Sequence, residues 1–471
     1  MSQGNSQTPE VEIEITLINA IACGVKRQQA KYVVPALEYE RSYWRQGPKR
    51  KEKVKYTDHF LIQKGKHYFI FLTGHLRLVL KYCREHNYKI NFVGERPSTK
   101  VAEFEEPYLR GIELRPDQLK LINAACLAKR GVIKAPTRYG KTAVQYGIIS
   151  AFNGRNALIL AHTKDLVSQL ADDGDKYGYD PAVVHGTKKQ LNWATKGQVV
   201  VMTRQTCANL IKTGKMNKDY FDLIIVDEGH HVSSQEGQYA DILTFYTAPL
   251  RYAFTATLPD NIEAEMSLEG YIGPLIGEIT QEEAEELGIT VRPQIIIKKA
   301  PLVEVPKWAD YQTAYERGII ENHERHLMIA MLSEEFNNQG MSVLILVTKV
   351  QHGFNLVSAF REISVLAHFV YGDTPSETRD RIKQRLIKKE LRNVISTVVW
   401  KEGINIPTLN VCINAAGGKS EITTLQSVGR SLTKAEGKDK AIIVDIFDPS
   451  HNYLISHFGE RISIYCDQGW L

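Results

Sequence analysis

Short runs of apolar residues alternate with stretches of helical, amphipathic spacing over most of the chain after Arg115. Continuous apolar runs of this kind are typical of strands that are buried on both faces of a parallel sheet. A charged, turn-punctuated stretch at residues 281–306 interrupts the alternation, which then resumes. We therefore predict two tandem α/β lobes, each built on a doubly wound parallel sheet. The predicted strands are Gly131–Lys134, Ala157–Ala161, Val199–Met202, Leu223–Val226 and Arg251–Thr255 in the first lobe, and Val343–Val347, His368–Tyr371, Asn393–Thr397, Val411–Ala415 and Ala441–Ile446 in the second.

The first hundred residues follow a different pattern. Short alternating stretches at Val11–Leu17, His67–Leu72 and Lys89–Val93 predict half-buried strands, and Leu76–His86 predicts a helix. Basic, turn-rich sequence separates these stretches, so this part is predicted to form a small α+β module. The predicted domains are residues 1–107, 108–290 and 291–471.

The composition is that of an ordinary globular protein. The chain has 471 residues, of which 43% are hydrophobic, enough for about three domains with a core in each. No apolar stretch approaches the roughly 18 residues of a membrane span, and the start of the chain is polar, so we expect a cytoplasmic protein. The six cysteines are scattered and are expected to be reduced thiols of the core.

The positive charge is concentrated at the front of the chain. Residues 1–100 contain 18 Lys+Arg and 9 Asp+Glu, a balance of +9, whereas the whole chain carries +5. A basic run interleaved with aromatic residues lies in this part, and such a surface suits phosphate neutralisation and stacking on an exposed base. The alternative is a solvated basic loop. The candidate nucleic-acid contacts in this run are Trp44, Arg45, Lys49, Arg50 and Lys51.

Residues 135–142 read Ala-Pro-Thr-Arg-Tyr-Gly-Lys-Thr between a predicted strand and a predicted helix. The backbone N–H groups of such a loop point at phosphate oxygens, while a lysine neutralises the terminal phosphates and a threonine hydroxyl ligates Mg²⁺. The alternative is a plain turn that opens a helix. The candidate nucleotide contacts are Ala135, Pro136, Thr137, Arg138, Tyr139, Gly140, Lys141 and Thr142.

A second motif argues against the plain turn. Asp227 and Glu228 directly follow the predicted strand Leu223–Val226. Asp227 would hold the same Mg²⁺ as Thr142, and Glu228 would orient or deprotonate the attacking water. The two motifs together predict a nucleoside triphosphatase.

Further segments accompany these motifs in a particular order. Arg-Pro-Asp-Gln ends at Gln118, ahead of the phosphate loop, and Thr-Ala-Thr occupies residues 255–257. Thr163-Lys164 and Thr203-Arg204 each follow a predicted strand. In this order the chain resembles the superfamily 2 helicases, and Ala135, which replaces the glycine of the general phosphate-loop pattern, fits that resemblance. The resemblance implies two RecA-like lobes that use ATP and Mg²⁺.

The resemblance also implies a role for each segment. Gln118 would contact the adenine base. Hydroxyls and helix-start N–H groups at the sheet edge would bond nucleic-acid phosphates without reading sequence, although helix capping by Thr163 and Thr203 is the plainer alternative and is compatible with binding. The gripping residues would be Thr163, Lys164, Thr203 and Arg204, and the residues that couple hydrolysis to lobe movement would be His230, Thr255 and Thr257.

Two segments of the second lobe extend the resemblance. Gly403-Ile-Asn-Ile-Pro would contact nucleotide and nucleic acid, with Asn405 in place of the usual aspartate. Gln426-Ser-Val-Gly-Arg430 would supply a nucleotide contact, Gln426, and an arginine finger that acts in catalysis beside Lys141 and Glu228. A second arginine is usual three positions later, where this chain has Thr433 followed by Lys434. Either Arg430 acts alone or Lys434 substitutes for the second arginine.

The arrangement of a basic front module and two compact lobes resembles the UvsW type of phage branch-migration helicase, whose motor shares some logic with the RecG and XPB types. It implies an ATP-dependent DNA helicase that remodels Holliday junctions, forks and R-loops, with other recombination or replication proteins as partners and no membrane. Two alternatives stay open. One is an RNA helicase, against which Asp-Glu-Gly-His at residues 227–230 argues. The other is the motor component of a restriction or nuclease assembly.

Overall fold

The computed structural model describes most of the chain. It covers residues 11–46, 51–64, 66–94, 104–136, 139–184, 197–234, 236–289, 293–397, 408–418, 441–467 and 470–471. For residues 43–46, 51–53, 63–64 and 467 it describes the backbone alone.

The front module is a small antiparallel-and-parallel sheet packed on one helix. Alternate residues of its first strand, Ile13, Ile15 and Leu17, are buried, and they form a core with Phe71 and Val79. The sheet has the order β5-β6-β2-β1-β7. The elements of the whole module are β1 (Glu12–Leu17), β2 (Ala22–Lys26), β3 (Glu38–Gln46), β4 (Lys51–His59), β5 (Gln63–Lys64), β6 (Tyr68–Leu72), α1 (Leu76–Glu85) and β7 (Lys89–Val93), with short 3₁₀ turns at Arg27–Tyr32, Val34–Leu37 and Thr73–His75.

The described part of the basic run lies on a two-stranded antiparallel ribbon, β3 and β4, and not in the turn-rich sequence that we predicted. The strands pair residue for residue from Glu38 opposite His59 to Gln46 opposite Lys51. Most residues of both strands are charged or polar, and the few aromatic and aliphatic residues among them do not recur with a period of two along either strand, so neither strand has the apolar face that marks a strand in a sequence. The predicted α+β class of the module is confirmed.

The first lobe is a parallel sheet of seven strands in the order β10-β11-β9-β12-β13-β8-β14. All residues of its central strands are buried, which explains their continuous apolar runs. Its elements are α2 (Pro116–Ala128), β8 (Arg130–Lys134), α3 (Lys141–Ala151), β9 (Ala157–Ala161), α4 (Lys164–Lys176), β10 (Ala182–Val184), β11 (Val199–Thr203), α5 (Arg204–Lys212), β12 (Leu223–Asp227), α6 (Gln238–Phe245), β13 (Leu250–Thr255), α7 (Ile262–Tyr271) and β14 (Leu275–Glu278).

The second lobe is a parallel sheet of six strands in the order β15-β20-β19-β16-β18-β17. Two buried ion pairs stabilise it, Arg325 with Asp448 and Arg461 with Asp445. Its elements are α8 (Gln281–Glu286), β15 (Pro293–Lys299), α9 (Tyr311–Tyr315), a π-helical turn (Glu316–Ile320), α10 (His323–Asn338), β16 (Val343–Leu346), α11 (Val350–Glu362), β17 (His368–Val370), α12 (Ser376–Ile387), β18 (Asn393–Ser396), β19 (Val411–Asn414), β20 (Ala441–Phe447) and α13 (Asn452–Asp467).

The two predicted parallel sheets are confirmed, although β10 and β14, at the two edges of the first sheet, were not predicted. We expected residues 281–306 to interrupt the α/β alternation, but α8 and β15 lie within this stretch. All seven residues of β15 pair with β20. The lysines at the end of β15 and the glutamates of α8 made the stretch look like a charged connection.

The described residues divide into two compact units. Residues up to Lys134, together with Lys141–Glu278, form the first unit, and Ala135–Gly140 with Ile279–Leu471 form the second. The front module and the first lobe therefore share one unit. The predicted domain limits at residues 107 and 290 stay predictions.

Two smaller expectations concern membrane-spanning helices and the cysteines. None of the helices in the described ranges has the length and apolar character that crossing a bilayer would require. All six cysteines carry free thiols, and five are buried. The sixth, Cys466, is exposed, so the expectation of a core position is wrong for that residue.

Candidate active site

The predicted chemistry of the first lobe gathers at one edge of its sheet. The strands β8, β9, β11, β12 and β13 are parallel, so their carboxyl ends meet at the same edge, where open α/β sheets bind ligands. Asp227 ends β12, Thr255 ends β13, and Lys141 begins the helix that follows β8. The motifs that are widely separated in the sequence are thus brought to a common place by strand order.

The phosphate-loop segment itself shows the local geometry that its sequence requires. Gly140 has φ +97°, a left-handed conformation that glycine adopts without steric cost. The backbone N–H of Tyr139 donates to the carbonyl of Pro136 at 3.3 Å. Ala135, Pro136 and Tyr139 are buried. Thr137 and Arg138, two further predicted contacts, lie outside the described residues.

Asp227 is a buried carboxylate held by a neighbouring amide. Gln145 Nε2 donates to Asp227 Oδ1 at 2.8 Å, and both side chains are buried. Burial, followed by the nearby charge of Glu228, raises the pKa of Asp227 to about 7, while the ammonium of Lys141 acts in the opposite direction. Sequence reasoning missed Gln145. Its only signal is the spacing of four residues from Lys141, which puts both side chains on one face of α3.

Glu228 has an unusual backbone and an unsatisfied oxygen. Its φ of 54° is in the left-handed region, which non-glycine residues adopt rarely, and such strained residues cluster at active sites. Its buried Oε2 accepts no hydrogen bond within the described part of the chain and lies 3.5 Å from His230 Nδ1. A carboxylate with a free acceptor at the sheet edge suits a group that orients or deprotonates a water molecule.

These side chains fit a magnesium ion. Mg²⁺ prefers oxygen ligands, and it is usually bound by one or two carboxylates or hydroxyls together with substrate phosphates. Asp227 offers a buried carboxylate whose charged form is destabilised by burial, and a divalent cation would favour that form. Asp227 and the Thr142 hydroxyl on the first turn of α3 are the predicted ligands.

The predicted coupling residues form a continuous hydrogen-bonded chain. His230 Nδ1 lies 3.1 Å from Thr255 Oγ1. The Thr255 hydroxyl donates its proton to the carbonyl of Thr257 at 2.6 Å and accepts the N–H of Thr257 at 3.3 Å. Since that hydroxyl has only one proton, His230 must be the donor through Nδ1–H.

This assignment fixes the tautomer of His230, with the proton on Nδ1. Burial lowers the pKa of His230, so the ring is neutral, and its buried Nε2 has no hydrogen-bond partner among the described residues. The same Nδ1 faces Glu228 at 3.5 Å. His230 therefore connects the carboxylate at the end of β12 with the Thr-Ala-Thr segment at the end of β13.

The predicted gripping residues occupy helix starts. Thr163 Oγ1 accepts the N–H of Leu166 at 3.3 Å, and Thr203 Oγ1 accepts the N–H of Thr206 at 3.2 Å. The capping alternative is therefore the arrangement seen, and nucleic-acid binding by these hydroxyls stays a prediction. Lys164 is exposed, and the guanidinium carbon of Arg204 lies 5.5 Å from the centre of the Tyr239 ring.

Gln118 is buried at the start of α2. Its Oε1 accepts the N–H of Arg115 at 3.1 Å in a capping box. The residue is only 3% exposed. The contact with adenine stays a prediction.

Several predicted site residues either have only their backbone described or lie outside the described residues. Trp44, Arg45 and Lys51 are on the ribbon strands, which are described there by their backbone. The others lie outside the described residues: Lys49, Arg50, Gly403, Asn405, Gln426, Arg430, Thr433 and Lys434.

Sequence reasoning missed the attachment of the front module to α7. Arg41 of the ribbon pairs with Glu263, in the first turn of α7, at 3.1 Å. His75 Nε2 donates to the carbonyl of Met266 at 2.7 Å. Arg130 donates to the carbonyls of Ala20 and Ile272, which joins the front module to the end of α7. Helix α7 follows the Thr-Ala-Thr segment, so the module is fixed beside the coupling residues.

Comparison with known proteins defines the class. Residues 111–260 match the family described as "Type III restriction enzyme, res subunit", and residues 326–433 match "Helicase conserved C-terminal domain". These matches, on two parallel sheets of RecA-like form, make the chain an ATP-hydrolysing helicase of superfamily 2.

Individual relatives agree with this class. The ATP-dependent DNA helicase uvsW of Enterobacteria phage T4 is 23% identical over 430 residues, which are 83% of this chain and 84% of that protein, and this helicase resembles it. The DNA 3'-5' translocase XPB2 of Sulfurisphaera tokodaii is 24% identical over 420 residues, 80% of this chain and 91% of that protein. S. cerevisiae Dbp5, solved with RNA and ADP BeF3, shares the fold with a TM-score of 0.55 at 18% identity, over 76% of this chain and 92% of that one.

Proposed function

We propose that this helicase couples ATP hydrolysis to the remodelling of branched DNA, such as Holliday junctions, forks and R-loops, in recombination and repair. The observation that carries the proposal is the attachment of the basic ribbon to the first lobe through Arg41 and Glu263. A cationic arm fixed to a motor lobe can hold one arm of a branch while the motor moves along another. The relatives named as a DNA helicase and a DNA translocase support DNA as the polymer.

In the proposed chemistry, Lys141 neutralises the terminal phosphates of ATP and Glu228 takes a proton from the attacking water. Thr142 and Asp227 hold Mg²⁺, which offsets phosphate charge when bound. Arg430 stabilises the charge that develops on the transferred phosphate. The remaining nucleotide contacts are Gln118, Ala135, Pro136, Thr137, Arg138, Tyr139, Gly140, Gly403 and Gln426.

In the proposed coupling, a change at Glu228 reaches the coupling segment through His230 and Thr255. The distances that support this path are 3.5 Å from Glu228 Oε2 to His230 Nδ1 and 3.1 Å from that nitrogen to Thr255 Oγ1. The segment leads into α7, to which the front module is attached. The strand itself is gripped by Thr163, Lys164, Thr203 and Arg204.

The experiment compares nucleic acids as stimulators of ATP hydrolysis and as substrates for strand displacement. Single-stranded DNA, duplex DNA, a four-way junction, an R-loop and RNA are tested with the full chain at equal nucleotide concentration. We expect the junction and the R-loop to give the highest rates and to be resolved into their component strands. A rate that is highest with RNA would replace the proposal with an RNA helicase.

A second candidate function has its own support. The family matched by residues 111–260 is named for a restriction-enzyme subunit, which favours a motor that works within a nuclease assembly. That function predicts ATP hydrolysis that duplex DNA stimulates as strongly as junctions do, with no strand displacement by the chain alone.

A further inference from the structure

A cavity of about 550 Å³ opens on the front module, and none of its lining residues belongs to the ribbon strands. It is lined by six residues at the end of β2 and at the start of β6, namely Lys26, Arg27, Gln28, Lys66, His67 and Tyr68. All six are exposed. Volumes of several hundred cubic ångströms are typical of sites for ligands of nucleotide size.

The two walls of this cavity are held in a fixed register. Lys26 is directly opposite Tyr68 in the antiparallel pair of β2 and β6. The N–H of Arg27 donates to the carbonyl of His67 at 2.9 Å, which extends the ladder beyond the strand end. The lining side chains therefore extend from a backbone that the sheet keeps in place, and a ligand meets a preformed arrangement.

The lining is cationic and rich in hydrogen-bond donors. Lys26 pairs with Glu14 at 2.8 Å. Within the described residues, Arg27 and Lys66 have no carboxylate within ion-pair distance. Ammonium, guanidinium, amide and phenol groups all donate hydrogen bonds to phosphate oxygens, and the excess of positive charge selects an anion.

We propose that this cavity binds the sugar-phosphate backbone of a DNA strand, as a second contact of the front module in addition to the ribbon. The proposal rests on the proposed function only in that DNA is the polymer. Arg27 and Lys66 each neutralise a phosphate, because neither has a carboxylate partner. Tyr68, which is 38% exposed, lies against the sugar or base between them.

The test is a pair of variants matched in composition and charge. Arg27→Gln with Lys66→Gln removes one arginine and one lysine from the cavity. Lys81→Gln with Arg84→Gln removes the same two residue types from exposed positions of α1 in the same module. All four positions are exposed, so both variants keep the fold, and equal thermal midpoints check this.

DNA affinity is measured with the full chain over a series of salt concentrations, with a labelled single strand and the corresponding duplex as separate probes. Loss of two phosphate contacts lowers the slope of log affinity against log salt by about 1.4 for a single strand and by about 1.8 for a duplex. We expect these decreases for the cavity variant and unchanged slopes for the α1 variant. The probe with the larger loss identifies the form of DNA that the cavity holds.

Equal affinities and equal slopes for the two variants would overturn the proposal. The proposed function fails on a different result, namely ATP hydrolysis by the wild-type chain that branched DNA does not stimulate. Neither result follows from the other, so the two failures are distinguishable.

Discussion

His230 and Thr255 share a hydrogen bond of 3.1 Å between imidazole Nδ1 and hydroxyl Oγ1. Both side chains are buried; His230 lies in the 3₁₀ turn that follows β12, and Thr255 ends the neighbouring strand β13. Glu228 Oε2 is 3.5 Å from the same nitrogen. The residue proposed to activate water and the segment proposed to move are thus separated by a single imidazole ring.

Replacing Thr255 with valine should uncouple movement from hydrolysis. The change removes the acceptor of the buried His230 Nδ1–H and leaves Glu228 Oε2, 3.5 Å away, as the nearest acceptor, at a cost of about 1–3 kcal/mol. We expect ATP hydrolysis to persist, while the amount of DNA unwound for each ATP falls by roughly 5- to 150-fold, the range of typical coupling energies. Both rates are measured in one reaction mixture. Thr255→Ser keeps the hydroxyl and should restore the ratio; equal ratios for the two variants would contradict the path through His230.

Lys141→Ala and Glu228→Gln should both abolish ATP hydrolysis, but by different routes. The first removes the charge that binds the terminal phosphates, so ATP affinity falls as well. The second removes only the proton acceptor, with an expected loss of about 10²–10⁴-fold in rate and with ATP binding retained. Steady-state hydrolysis and binding of a fluorescent ATP analogue separate the two. Glu113→Gln, which makes the same chemical change at an exposed position of the first unit, is the control and should keep normal turnover. Normal turnover by Glu228→Gln would refute the assignment.

Gln145→Ala should weaken binding of the magnesium ion. Its amide holds Asp227 Oδ1 at 2.8 Å, and removal of a group that orients a metal ligand typically lowers metal affinity by about 10–100-fold. A titration of ATP hydrolysis with Mg²⁺ should therefore show a shifted half-saturation point and a nearly unchanged maximal rate. An unshifted titration would mean that Asp227 keeps its position without the amide.

The sequence was most informative where function and fold impose the same constraint. The central strands of the two sheets are continuous apolar runs because both faces are covered, and the parallel order in the first sheet brings Asp227, Glu228 and Lys141 to one edge. The strands β2, β3, β4 and β15 were missed because a glycine, charged residues or terminal lysines conceal their pattern, and β5, β10 and β14 were missed because they have only two to four residues. No periodicity signal marks such segments.

The supporting contacts of the site could not be predicted, for a different reason. Gln145 binds a residue 82 positions away. His75 and Arg130 bind backbone carbonyls, which are the same in every residue type and so leave no signal in the sequence. Motif order indicates which residues take part in the chemistry. It contains no information about which side chains hold them, because that depends on the packing of distant elements.

Gly74→Ala should detach the front module from α7. A Cβ at this position would lie 2.0 Å from the carbonyl oxygen of Glu269 and 2.3 Å from that of Gly270, and backbone atoms cannot move aside. We expect a loss of unfolding free energy of at least about 1–3 kcal/mol, the usual cost of overpacking. Urea-induced unfolding measures it. Gly372→Ala is the control, since its Cβ would meet nothing within 4 Å.

This attachment also changes how the role of the front module must be tested. Removing residues 1–105 would take Ile21, Phe60 and Leu72 out of the apolar cluster that they share with the first lobe. Loss of DNA binding by such a truncated chain would then report unfolding. Substitutions of exposed cations avoid that problem.

His75 should make the stability of the first unit depend on pH. Burial lowers the pKa of His75 to about 4. The Arg130 guanidinium lowers this pKa slightly further, whereas the hydrogen bond to the Met266 carbonyl raises it. Its Nδ1 is buried and has no hydrogen-bond partner among the described residues, so a second proton there would be unpaired. In the unfolded chain a histidine has a pKa of about 6.5.

The sign follows from proton binding. Between pH 6.5 and 4 the unfolded chain binds a proton at this residue and the folded chain does not, so the stabilisation present above pH 6.5 is lost progressively as the pH falls to 4. The loss is on the order of 3 kcal/mol. Other groups of this unit titrate in the same direction, including His231, whose pKa burial lowers to about 3. The informative quantity is therefore the difference between wild type and His75→Gln, which keeps an N–H donor for Met266.

We expect the unfolding free energy of His75→Gln, measured in urea at a series of pH values from 7 to 4.5, to fall less steeply than that of the wild type. His86→Gln, at an exposed position after α1, should follow the wild-type curve. Parallel curves for wild type and His75→Gln would show that the folded protein accepts the proton at this position, and that the attachment of the front module to α7 tolerates a charge.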